Sequence, residues 1–97
     1  METYLFLSNW TDQGLQAVKG TVDRTTEAVA TMERFGVRIF ETYWTVGPYD
    51  LVFVAECPDQ ATAHAVELQL GARGNIRSTA MRAFNRDEMS AVLDKLG

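Results

Sequence analysis

Six side chains of this chain suit the holding of a small molecule: Trp10, Tyr43, Tyr49, Asp50, Asn75 and Arg77. Aromatic faces with one carboxylate, one carboxamide and one guanidinium make a lining for a small polar-aromatic ligand. Asp50 would act as a general base if kept from water. Glu56 is the other candidate for proton transfer, and no third residue suggests itself. Structural roles compete at each position. Asp50 is equally suited to accept backbone N–H groups in a turn or to pair with Arg77. Trp10, Trp44 and Tyr49 read as interface or core packing ahead of ligand stacking. Gly47 and Pro48, just ahead of Tyr49, are turn residues.

A second set comprises Glu56, Asp59 and Arg82, with Glu56 and Arg82 read as a structural ion pair. His64 shares a helix face with Gln60 and Glu67, at spacings of four and three, and that face reads as solvated. Cys57 is the only cysteine, so there is no disulfide and no thiolate metal site. It reads as a small buried hydrophobe rather than a reactive thiol. No second His or Cys stands at ligand spacing, and no metal is expected. Nor is a cofactor, because phosphate loop, dinucleotide fingerprint and nucleophile elbow are all missing.

The elements that must position these residues follow from the apolar pattern. Residues 3–10 read as a strand with apolar groups on both faces, and residues 51–55 read the same way. Strands at 37–45 and 76–84 carry charges (Arg38, Glu41, Arg77, Arg82), as edge strands do. A short helical turn capped by Thr11 or Asp12 leads past Gly20 into a helix over residues 21–35, which Gly36 ends. Its expected inner stripe is Val18, Val22, Thr25, Val29 and Met32. The next helix starts at Cys57 or Asp59, runs to Gly71, and faces inward with Ala63, Val66 and Leu70. Asn85 and Glu88 form a capping box for a terminal helix striped by Met89, Val92, Leu93 and Leu96.

The order β-α-β-β-α-β plus a helix is the α+β, ferredoxin-like plan, with a four-stranded antiparallel sheet. Strands one and three then lie in the middle and two and four at the edges. The first two strands end where the last two begin. That brings the six candidate ligand residues to one end of the sheet, beside the helix start at Asp12 to Gly14. Two helices cover only one sheet face. The other face, with Phe40 and Trp44 adding to it, would leave more oily surface than a monomer usually shows. A second copy packed face to face is the economical cover; the terminal helix folding back is the alternative.

Composition sets outer limits. With 97 residues the chain is one domain. Its 46% hydrophobic and 23% charged content is that of a soluble globular protein. A net charge of -4 argues against nucleic acid and against anionic membranes. Without a leader pattern or an apolar run near about 18 residues, the expected location is the cytoplasm.

Several spaced motifs resemble one family. Gly47-Pro48-Tyr49-Asp50 precedes Glu56-Cys57-Pro58-Asp59. Gly74-Asn75-Ile76-Arg77-Ser78-Thr79 precedes Arg82-Ala83-Phe84 and Glu88. With Trp10-Thr11-Asp12-Gln13-Gly14 and Tyr43-Trp44-Thr45, they resemble the GYD-domain family over nearly the whole chain. Cys57 stands where the family suggests a small residue such as alanine, and Gly20-Thr21 where it suggests a proline-containing helix start. The resemblance implies a dimeric α/β-barrel assembly and no settled activity. Three functions are in play. The first is a homodimer or higher oligomer that binds a small metabolite. The second is a cofactor-independent monooxygenase or isomerase using Asp50 or Glu56. The third is an assembly protein making contacts through its sheet face and terminal stripe.

Overall fold

The computed structural model describes residues 1–97. The elements are β1 (Glu2–Trp10), α1 (Asp12–Gln16), a 3₁₀ turn (Val18–Gly20), α2 (Thr21–Glu33), β2 (Arg38–Trp44), β3 (Leu51–Cys57), α3 (Gln60–Ala72), β4 (Ile76–Ala83) and α4 (Arg86–Asp94). The antiparallel sheet has the order β2-β3-β1-β4, which is the arrangement read from the apolar and charged strands.

The alternation of β1 and β3 puts Tyr4, Phe6, Ser8, Leu51, Phe53, Ala55 and Cys57 under the helices, all buried. Phe6 lies opposite Phe53, and the two rings stack at 4.6 Å between centroids. Ala63, Val66 and Leu70 of α3 close this core, with Met32 from α2. Ser8 is the one buried polar residue, and its hydroxyl is satisfied by Ser78 at 2.7 Å across β1–β4. Cys57 is fully buried, and burial pushes its thiol up to about 11, with Asp59 and Glu2 adding to the rise. A thiol held protonated is inert, so this is the small hydrophobe of the sequence reading.

The caps are local in origin. Thr11 accepts the Gly14 N–H, Asp59 the Thr62 N–H, and Asn85 and Glu88 form the reciprocal box. Gly36 adopts a φ of 76° as α2 ends, and the Val37 N–H returns to the Met32 carbonyl at 3.2 Å.

One member of the expected inner stripe of α2 differs. Val22 is 60% exposed, whereas Thr25, Val29 and Met32 face inward, joined by Thr21 and Ala28. The cause is the 3₁₀ turn ahead of α2. That turn advances about 120° per residue instead of about 100°, so the phase set by Val18 does not carry to Val22. Trp44 also differs. A bulge between Ile39 and Glu41 shifts the alternation of β2. Trp44 therefore lies on the helix side, where its Nε1 donates to Thr21 Oγ1 at 3.1 Å. Tyr43 takes the open side, opposite Val52.

The terminal helix does not cover that open side. Met89, Val92, Leu93 and Leu96 are all exposed. Only the half-buried Glu88 ties α4 down, through Arg82 at 2.9 Å. The molecule measures 52 × 31 × 19 Å, and its radius of gyration of 14.5 Å exceeds the about 12.5 Å of a compact chain this long.

Candidate functional site

Three features stand out as able to meet another molecule: a cavity under α2, the open sheet face and the exposed stripe of α4. The cavity has a volume of about 70 Å³ and fifteen lining residues. Its floor is the helix side of the sheet, with Trp10, Ile39, Thr42, Leu51, Phe53 and Ile76. Its roof is α2, from Thr21 through Arg24, Thr25, Ala28 and Val29 to Met32, and its far wall is Leu70, Arg73 and Asn75. Thr25 and Ala28 present short side chains to it. A wider groove of about 350 Å³ lies between Phe35 and α3, more open to water.

Of the six candidate ligand residues, the structure brings only Trp10 and Asn75 to the cavity. Tyr43 is 54% exposed on the open face. Tyr49 stands on the β2–β3 loop, and Arg77 is exposed opposite Asn9 on the open side. Strand alternation separates them, because neighbours in sequence point to opposite faces. Asp50 is occupied: its Oδ2 accepts the Trp10 N–H at 3.1 Å, while its own N–H donates to the Ser8 carbonyl at 2.9 Å. It ends β1 by satisfying a backbone donor, and it is not paired with Arg77. Replacing it by alanine should cost about 2 kcal/mol, the worth of a charge-assisted hydrogen bond. Asp50→Asn, which keeps an acceptor, should lose less than half of that in chemical denaturation. Equal losses would mean that the Trp10 bond contributes nothing.

Glu56 and Arg82 do not pair. Glu56 lies opposite Thr3 and Arg38 on the open face, whereas Arg82 lies opposite Tyr4 under the helices. Arg82 instead reaches Glu88 at 2.9 Å and Glu2 at 3.9 Å. The bond from the Asn85 N–H, then that from Arg82, holds the Glu88 carboxyl below its ordinary range. Asp59 is held low in the same way by Thr62, whose side chain and N–H it caps. Tyr4, buried beside Glu2, is pushed up to about 12 by burial and by that carboxylate. Glu67 is not wholly solvated: besides His64 Nδ1 at 3.2 Å, it takes the Ala80 N–H at 3.0 Å, closing part of the β4 edge.

The sequence reading missed Arg24, Thr21, Ala28 and Arg73 as cavity residues. Positions 21, 24, 25, 28 and 32 carry a helical spacing of their own that would have found three of these four.

On the open face, Leu5, Leu7, Val52 and Val54 form a half-buried apolar centre, with Tyr43 and Met81 exposed beside it. Arg38, its guanidinium 4.5 Å over the Phe40 ring, stands at one edge with Glu41, and Arg77 at the other. An apolar centre in a charged rim is the anatomy of a protein interface.

The family model described as the GYD domain matches residues 4–93. The chain belongs to the GYD domain family. A Thermus thermophilus relative is 37% identical over 94 residues, spanning 96% of this chain and 99% of its own. It is named a glutamine synthetase and cystathionine beta-lyase binding protein. A crystal structure from the same organism superposes on this GYD chain with a TM-score of 0.56, at 24% identity, over 88% of this chain and 95% of that one. That likeness shows the fold. The relative's name speaks of enzymes as partners, where the sequence alone suggested a metabolite. No helix of this GYD domain is long and apolar enough to cross a membrane.

Proposed function

We propose that this GYD domain works as a docking protein: a homo-oligomer, joined through its sheet faces, that binds a larger metabolic enzyme. The observation that carries this is the apolar sheet face that neither α4 nor any other element covers. The name of the 37% identical relative supports enzyme partners. With the sheet face used between copies, the enzyme's contact falls to α4. Its stripe of Met89, Val92, Leu93 and Leu96 is an exposed amphipathic helix of the kind that lies in a partner's groove. A catalytic role for Asp50 or Glu56 has no such support, since Asp50 serves the β1 backbone and Glu56 stands on the open face.

Interferometry with immobilised glutamine synthetase and cystathionine beta-lyase tests the enzyme half of this reading. Micromolar or tighter binding to one of them is expected, and Leu93→Asp should weaken it at least tenfold without changing the oligomer. If neither enzyme binds, or if the variant binds like the parent, the docking role through α4 is wrong.

A further inference from the structure

The cavity under α2 has a charge pattern at odds with the rest of the molecule. The chain carries 13 acidic and 9 basic residues, yet the lining holds two guanidiniums, Arg24 and Arg73, and no carboxylate. Neither guanidinium has an ion-pair partner: the acid–base contacts of the protein are His64–Glu67, Arg82–Glu2 and Arg82–Glu88. Arg24 makes one bond, Nη1 to the Ala17 carbonyl at 2.6 Å. A guanidinium has five N–H donors, so four remain. The Arg73 side chain makes none of the protein's hydrogen bonds; its backbone carbonyl accepts from Gln13 at 3.2 Å and its N–H donates to the Gly71 carbonyl. Between them the wall is apolar: Ala28, Val29, Ile39, Leu51 and Leu70.

We propose that this cavity binds a small organic carboxylate with a short aliphatic body, its acid group at Arg24 and Arg73 and its chain against Ala28, Ile39 and Leu70. Size sets the class. A volume of about 70 Å³ holds about five waters, counting one per 10–15 Å³. That suits a short branched or straight chain. Charge sets the head group, because a carboxylate takes two parallel N–H bonds from one guanidinium. A neutral amide of the same shape leaves those donors without a charged acceptor. The site is independent of the docking surfaces, since it lies on the other side of the sheet and shares no residue with the α4 stripe.

The test is a titration of the ¹⁵N-labelled full chain with isovalerate, followed by amide shifts, with isovaleramide as the uncharged match. Saturable shifts at Ala28, Met32 and Leu51 are expected with the acid, and binding at least tenfold weaker with the amide. Arg24→Gln and Arg73→Gln should each weaken the acid at least threefold and leave the amide unchanged. Ala28→Leu should fill the space and abolish binding of both. Equal affinity for acid and amide overturns the carboxylate assignment. Shifts that do not saturate, or that miss the lining of the cavity, overturn the site itself. Parent-like binding of acid in both arginine variants overturns the role given to the guanidiniums.

Discussion

Leu7→Lys is expected to abolish self-association while leaving the protomer folded. Leu7 lies at the middle of the open face, opposite Val52 on one side and Thr79 on the other. In a lone protomer the lysine stem covers the same neighbours and its ammonium reaches water. In a face-to-face pair the two-fold axis traps both ammonium groups between sheets, where an unpaired charge costs several kcal/mol. The dimer constant should weaken at least a hundredfold. Light scattering at micromolar concentration should give the parent a mass at least twice its 10.9 kDa and the variant one protomer, with similar melting curves at low concentration. If the parent already scatters as one protomer, the assembly reading is lost, and the open face needs another occupant.

Gly14→Ala should be the most damaging of the small substitutions. A Cβ at position 14 would sit 1.9 Å from the Asn75 carbonyl oxygen and 2.8 Å from its carbon. Both are backbone atoms and cannot rotate away. Relief requires α1 to move off the β4 start. That movement breaks the Thr11 N–H bond to the Asn75 carbonyl, now 3.1 Å, and the Thr11 hydroxyl bond to Gly74. Overpacking of this kind costs about 3 kcal/mol. At about 4–8 °C of melting temperature per kcal/mol for a domain this small, calorimetry should show a fall of at least about 12 °C. Gly71→Ala is the control: no atom lies within 4 Å of its Cβ, and α3 should gain up to about 1 kcal/mol in helix propensity. A Gly14→Ala protein that melts like the parent would show that α1 and β4 are not held at this contact.

The strand order was legible because it rests on a local signal. Tyr4 to Leu7 and Leu51 to Ala55 are apolar at successive positions, which only a strand between two others tolerates. The caps at Thr11, Asp59 and Asn85 were legible for a similar reason: a cap is a bond between residues three apart. The candidate site was less so. Trp10, Tyr43, Tyr49, Asp50, Asn75 and Arg77 do gather at one end of the sheet, but reaching one end is not reaching one face. A one-residue bulge in β2 exchanged the sides of Tyr43 and Trp44, and a 3₁₀ turn left Val22 outside the inner stripe of α2.

The amino-acid order alone thus determined the family, the strand arrangement and the helix ends, since each is written in residues a few positions apart. The meeting of Arg24 with Arg73 in one cavity, the engagement of Asp50 by the Trp10 backbone, and the bare face around Leu7 were decided only by the folded chain. Those depend on the rotation of each element about its own axis. A single irregular residue resets that rotation, and only contacts between distant segments fix the result.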